Sequence, residues 1–551
     1  MRTTTGQRSP TWRVSDRHKS LDAWARTGAD VVVIGGGISG AGVLREFAYR
    51  GLRALLIERD DFASGASSAS SKLVHGGLRY LSELNLRLTR TSIRERELLV
   101  QNNPNLIREL PFLLLSDRSG LASIKLRAGL RLYGHLSGQL TATGMLPQNE
   151  WLRWLPTVGL DRVRAIATYH EAHVDDARLV LATLKDARSA GGEAINHCPA
   201  IGFCRTTKGR ITAVRVYDQL RQRHHEIRCI LAVNTSGVDL DRVRGLDAPR
   251  RPSVHPTKGT HVVIPRERLP IRSAIAFPAS DGRHLFAYPI GDAILLGTTD
   301  TSVDDTDALN PSASECRYLL AGLHRFFPTT PLDTTDVWSA WSGVRPLMPN
   351  PRGAVSTRSV SREHRIEEDD SGLLSMSGGK LTTFRAMAEQ LVDRALARFP
   401  DAWRASLRPS RTATTPLRQD DFDRHEFTRR LRGAYQVTTQ TADRLIRTWG
   451  SDAFELLRAY GQPGRARLGD TDYRLAELRW AVESEAVATL SDLLERRIRV
   501  AHFTRAAGAH LAESAAAFVA DAMGWDAGRQ AEECRRYRAR VAERFCLRVE
   551  T

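Results

Sequence analysis

The sequence predicts an α/β fold: a Rossmann-type dinucleotide-binding unit, followed by an all-helical C-terminal domain. Two observations lead there. Residues 30–40 read DVVVIGGGISG, a short apolar strand from Val31 to Ile34 running straight into Gly35, Gly37 and Gly40. From about residue 401 glycines become sparse and apolar residues recur at helical spacing, as with Leu478, Val482, Leu490, Leu493 and Leu494.

The first unit can be read element by element. The glycines let backbone approach a pyrophosphate, which would rest on the positive end of the helix ISGAGVLREFAYRG. The next strand, RALLIERD, ends at Glu58, where a carboxylate can accept both ribose hydroxyls. NAD and FAD share this unit. In NAD enzymes a second strand–helix pair usually follows quickly, whereas here RDDFASGASSASSKLVHGGLRYL intervenes, which suits an extended cofactor passing beneath a serine-rich loop.

Composition narrows the class. The 551 residues carry a net charge of +17, and 42% of them are hydrophobic. The length is enough for two or three domains with real cores. No run approaches the roughly 18 apolar residues of a transmembrane helix. Residues 1–28 are basic without the apolar stretch of a secretory signal, and read as a tail. The positive charge is spread along the chain, with no zinc-finger or RNA-binding motif, so nucleic acid is not expected as a partner. Cys198, Cys204, Cys229, Cys316, Cys534 and Cys546 include no C-x-x-C pair, which fits a reducing compartment and predicts no metal site. Of only seven lysines, Lys72, Lys258 and Lys380 fall in the motif-dense segments.

These segments resemble the FAD-dependent glycerol-3-phosphate dehydrogenases, within the wider group that includes glycine oxidase and D-amino-acid oxidase. The resemblance is carried by SSASSKLVHGGLRYL (67–81), VDDARLVLA (174–182), KGTHVVIPR (258–266), LLGTTDT (295–301), SGVRPL (342–347) and SGGKLTTFRAMAE (377–389), and covers roughly residues 29–510. It implies FAD as cofactor and a discontinuous two-domain unit over 29–400. The FAD-binding parts are expected at about 29–103, 190–245 and 340–400, with a mixed-β substrate domain between them and a helical cap over 401–551.

The resemblance also implies site residues. Ser70, Ser71, Lys72, His75, Gly76 and Gly77 would follow the cofactor from pyrophosphate to flavin ring, with the His-Gly-Gly backbone close to the ring. Gly378, Gly379, Lys380, Leu381 and Thr382 would open a helix onto the flavin's pyrimidine side, with Thr382 and Thr383 as candidate caps. Gly237 would let backbone approach the dinucleotide. Arg79, Tyr80, Arg345 and Arg358 would line the substrate pocket, with Arg345 and Arg358 clamping a phosphomonoester by bidentate contacts. His261, on an alternating strand, would be the catalytic base, helped by Arg345 and Lys380. Asp175 and Asp176 read as favourable charges at a helix start.

Two departures stand out. The family's Pro-Trp after Gly237 is Val238 and Asp239 here, and a second aromatic position is Ile290. They raise the question of flavin affinity or substrate preference, not of fold. Residues 123–138, SIKLRAGLRLYGHLSG, interleave basic and apolar side chains in a pattern suited to a membrane interface.

The expected activity is therefore oxidation of glycerol 3-phosphate to dihydroxyacetone phosphate. The electrons would pass to a membrane quinone, from a cytoplasmic protein held peripherally on the inner membrane surface and possibly dimeric. An O2-using oxidase and a catalytically silent flavin-binding module are the alternatives.

Overall fold

The computed structural model describes residues 11–78, 85–118, 121–137, 143–247, 253–303, 309–347, 364–418, 420 and 422–547. The apolar strand Ala29–Ile34 is the middle of the first sheet, paired in parallel with Ala54–Ile57 on one side and Arg223–Asn234 on the other. Glu193–Ile195 and Leu374–Gly378 extend the sheet in parallel, and His364–Glu368 closes one edge antiparallel. A continuous apolar run suits this place, since a central parallel strand is buried on both faces. Helices Ile38–Arg50, Asp176–Ser189 and Phe384–Leu396 cover one face.

The second sheet is larger and mixed, with His255–Pro265 between Ala293–Gly297 and Ser339–Leu347, both antiparallel to it. Alternation along this strand sorts its side chains as the sequence predicts. Val262 and Ile264 enter a core shared with helix Ala313–His324. Val263 and the neighbouring Trp341 enter another, built largely from the C-terminal helices. The C-terminal helices and the second sheet thus share one core.

Three boundaries differ from the sequence reading. Ser339–Leu347 belongs to the second sheet rather than to the FAD-binding part expected from 340, because it pairs with His255–Pro265 along its length. The nucleotide-binding part resumes at Asp176 rather than 190, because the helix before strand Glu193–Ile195 is the crossover that covers the first sheet. Part of the expected 1–28 tail is ordered: Val14–Thr27 is a helix. Its buried Arg17 binds Asp218 at 2.6 Å and the Asn196 carbonyl at 2.7 Å. Trp12 just before it exchanges backbone hydrogen bonds with Glu483 and Ala486 of the C-terminal domain.

The C-terminal domain is also tied in by charge. Asp61, buried beneath the serine-rich loop, accepts Arg496 Nε at 2.6 Å, Arg497 Nη1 at 2.6 Å and the Asn196 amide at 3.0 Å. His197 bonds Asp492 at 3.0 Å beside it. Asp61, His197 and Asp492 lie close enough to share a cation, but the two guanidiniums already supply the positive charge there. Breaking such a group by removing one partner strands the other charges in the interior. Asp61→Asn is therefore expected to cost about 3–5 kcal/mol, read as a fall in the denaturation midpoint; an unchanged midpoint would mean that the apolar core alone holds the domain.

Candidate active site

A cavity of about 1770 Å³ runs between the two sheets and reaches the C-terminal helices. One end is built by the glycine motif. Gly35 has φ +112°, and a Cβ there would lie 2.7 Å from the Ser236 Cα. A Cβ on Gly40 would lie 1.8 Å from the Gly35 carbonyl oxygen, so Gly40 serves strand–helix packing rather than ligand contact. Helix Ile38–Arg50 opens at the cavity with no acidic residue in its first turn, and its Ile38 N–H donates to Ser67 Oγ at 3.0 Å. That leaves its positive end for an anion.

Glu58 lines the same end. It accepts the Gly36 N–H at 2.5 Å and the Asp60 N–H at 2.8 Å. Burial raises its carboxyl to about 7, although both N–H groups pull the other way. Gly237 (φ +62°) and Val238 line the wall opposite, and Asp239 bridges Arg59 at 3.3 Å and Arg242 at 3.0 Å.

At the middle, the His-Gly-Gly loop meets the glycine turn before Phe384–Leu396. The His75 N–H donates to Thr382 Oγ1 at 3.2 Å, and His75, Gly77, Gly378, Gly379, Lys380, Leu381 and Thr382 all line the cavity. Gly77, Gly378 and Gly379 have positive φ of 82°, 71° and 86°. Gly76 differs from expectation: it faces away, donating to Glu171 at 2.7 Å, where a Cβ would meet the Tyr133 hydroxyl. Neither Thr382 nor Thr383 caps the helix; the Thr383 hydroxyl turns to the Met387 sulfur at 3.4 Å instead. Lys380 Nζ lies 3.5 Å from Ser92 Oγ.

The far wall carries His261 and Arg345. Each sits over a glycine of a neighbouring or its partner strand. A Cβ on Gly297 would come within 2.2 Å of the His261 ring, and one on Gly259 within 2.2 Å of the Arg345 guanidinium. His261 Nε2 is 2.8 Å from Ser71 Oγ, and its ring stacks on Trp341. Burial, reinforced by the Arg345 and Lys72 charges, depresses His261 to about 3, so the imidazole is neutral. Arg345 is anchored by Asp300 at 3.1 Å and by the Thr298 hydroxyl at 3.1 Å. Arg283, which sequence reasoning did not single out, donates to the Asp300 carbonyl at 2.7 Å and lines the same wall.

Lys72 does not reach the cavity. Its Nζ is buried against Asp176 at 2.8 Å and the Ser68 carbonyl at 3.1 Å. Asp175 does cap its helix, accepting the Arg178 N–H at 3.1 Å. Arg79, Tyr80 and Arg358 lie outside the described residues. Ile290 is partly buried against the core shared by the second sheet and the C-terminal helices and is not among the residues lining the cavity. The C-terminal domain, from which no chemistry is expected, lines the outer cavity with Arg496, Arg536, Arg540 and Arg544. The last three recur every four residues along helix Ala527–Arg544, a spacing legible in the sequence.

A glycine-lined dinucleotide crevice, a helix N-terminus without an acid and a passage between two glycine turns are the fittings of an FAD-dependent oxidoreductase. Residues 30–394 match the family model described as FAD dependent oxidoreductase, and residues 410–530 match the C-terminal domain of alpha-glycerophosphate oxidase. The aerobic glycerol-3-phosphate dehydrogenase of Staphylococcus haemolyticus is 33% identical over 85% of this chain and 86% of its own. The mitochondrial glycerol-3-phosphate dehydrogenase of Mus musculus is 32% identical over 92% of this chain and 72% of its own. The FAD complex of the glycerol-3-phosphate dehydrogenase from Bacillus halodurans superposes with a TM-score of 0.78 at 27% identity, covering 97% and 98% of the two chains. The chain belongs to the FAD-dependent glycerol-3-phosphate dehydrogenase family.

The cavity lining fits FAD: Gly35, Gly37 and the Ile38 helix end would hold the pyrophosphate and Glu58 the ribose. Glu58→Gln is expected to weaken FAD binding about 10-fold, the scale of one hydrogen bond to a charged group. Flavin fluorescence titration of apoprotein measures it, and unchanged affinity would remove Glu58 from the ribose site.

Proposed function

We propose that the protein oxidises sn-glycerol 3-phosphate to dihydroxyacetone phosphate and passes the electrons to a membrane quinone. The observation that carries this reading is Arg345, oriented by Asp300 and Thr298 on the wall that also holds neutral His261. A guanidinium held this way presents a rigid face to a phosphate dianion. Arg283, tethered to the same Asp300, adds a second positive charge to that wall.

FAD supplies the two-electron acceptor. The chain's own groups do the rest: Arg345 holds the phosphate, His261 takes the hydroxyl proton, and Lys380 at the head of its helix steadies developing negative charge. A silent binding module would need none of these converging on one cavity. The curated relatives named above are themselves glycerol-3-phosphate dehydrogenases, which supports the substrate assignment.

The quinone and the membrane are supported by helix Leu121–Leu136. Ile124 and Leu132 are 62% and 44% exposed, Arg127 and Arg131 are exposed beside them, and Leu126, Leu130 and Leu132 line the cavity. A basic, apolar lip at a cavity mouth suits a lipid surface and a lipid-soluble acceptor. No helix among the described residues is long and apolar enough to cross a membrane.

Anaerobic addition of glycerol 3-phosphate is expected to bleach the oxidised flavin band, while glycerol and lactate leave it unchanged. A flavin that stays oxidised would overturn the substrate assignment. Turnover with a quinone analogue and little peroxide is expected; stoichiometric peroxide without quinone would make the protein an oxidase. Arg345→Gln is expected to raise KM for glycerol 3-phosphate about 30- to 100-fold, corresponding to about 2–3 kcal/mol of lost charge-assisted hydrogen bonding. A KM within threefold of wild type would assign the phosphate elsewhere.

A further inference from the structure

The geometry points to Ser71 as a catalytic hydroxyl that carries the substrate proton to His261. The inference rests on the reading above, in which His261 is the base.

His261 is 2% exposed, and each ring nitrogen has a definite environment. Nδ1 is buried without a partner, and Nε2 is 2.8 Å from Ser71 Oγ. Ser71 is half-buried and lines the cavity. A substrate hydroxyl therefore meets Ser71 Oγ at the nitrogen it needs. Either it displaces that hydroxyl or it bonds to it.

Displacement is opposed by how firmly Ser71 is held. Its carbonyl accepts the Tyr288 hydroxyl at 2.7 Å. The residue before it, Ser70, gives both its N–H (3.0 Å) and its hydroxyl (2.7 Å) to Asp176. The residue after it, Lys72, gives its N–H to Ser70 Oγ at 2.9 Å and its ammonium to Asp176. Arg499 of the C-terminal domain completes the hold, reaching the Ser68 carbonyl at 2.8 Å and Asp176 at 3.1 Å. The Ser71 backbone is pinned on both sides, and its hydroxyl is held at His261 Nε2 on the cavity wall. A fixed hydroxyl that both donates and accepts is what a one-step relay requires.

The step balances. The substrate O–H proton moves to Ser71 Oγ as the Ser71 proton moves to His261 Nε2. The C2–H bond breaks with its electron pair leaving to the FAD acceptor, and the C2–O bond becomes the carbonyl. Ser71 ends the step neutral, and His261 ends it as an imidazolium with a proton on each ring nitrogen, the added one then passing to solvent.

The test uses the FAD-loaded full chain in anaerobic stopped flow, with wild type, Ser71→Ala and Ser71→Thr. Expected for Ser71→Ala is wild-type flavin content and a KM within about threefold, with flavin reduction slowed about 100-fold. A solvent deuterium effect present in the wild type should change in this variant. Ser71→Thr keeps the hydroxyl and should recover to within about 10-fold of the wild-type rate. If Ser71→Ala is reduced as fast as wild type, the substrate reaches His261 directly and the inference falls alone. If Ser71→Ala loses flavin but keeps the rate per bound flavin, Ser71 holds cofactor and the inference falls as well. A wild-type protein that glycerol 3-phosphate does not reduce overturns the substrate reading, and this inference with it.

Discussion

A single buried carboxylate, Asp176, organises the site. It has no exposed surface and receives Lys72, Arg499, the Ser70 hydroxyl and the Ser70 N–H. A carboxylate in the interior is tolerable only when its charge and lone pairs are fully met. Meeting them requires three distant segments at once: the serine-rich loop, the crossover helix and the turn after the C-terminal Asp492–Arg497 segment. Lys72 and Arg499 reach it with φ of +54° and +56°, a left-handed backbone that costs side-chain-bearing residues on the order of 1 kcal/mol each. The site holds that strain because the ion group over-determines it. Burial and the Arg499 charge pull Lys72 down to about 8, with Asp176 opposing them.

The Asp61 group repeats the design at the other end of the loop. Arg496 and Arg497 meet it from the C-terminal domain, and Asn196 from the strand side. The loop over the cofactor crevice is thus fastened at Asp61 and again at Ser68 and Ser70, each time to residues more than 400 positions or about 100 positions away in sequence. The helical domain is part of the site's frame. Moving it would shift the loop that presents Ser71 to His261.

What was legible in the sequence follows from range. The strand, glycine triplet, helix and terminal Glu58 form one local unit, and local rules of strand, turn and helix suffice to read it. His261 and Arg345 were also reachable, because their motif context is distinctive even though arginine itself is abundant. Lys72 stands out in the sequence by its rarity, yet its partner Asp176 reads only as a helix-dipole charge, since nothing in helical spacing says which distant cation will be buried with it. The same limit hid the C-terminal arginines: periodicity shows which helix face is buried, not which cavity the other face borders. Gly259 and Gly297 were hidden for a related reason. Their value lies across the sheet, in room left for Arg345 and His261, and cross-strand register is a property of the fold.

The departure at Val238 and Asp239 can now be placed. Asp239 lies between Arg59 and Arg242, all three lining the cavity end that holds Glu58. Where the family has an aromatic side chain, this chain closes the wall with a partly exposed ionic clasp. Pairs of that exposure contribute about 0–1 kcal/mol and weaken with salt. With the ribose placed at Glu58, the exchange would bear on how tightly, and how salt-sensitively, the adenosine end of the cofactor is held. The wall that carries Arg345, Arg283 and His261, with the Asp300 that holds both arginines, is built from other strands, and Ile290 is not among the residues lining the cavity. The Val238 and Asp239 departure thus falls at the Glu58 end of the cavity, and neither departure alters the wall that carries Arg345 and His261.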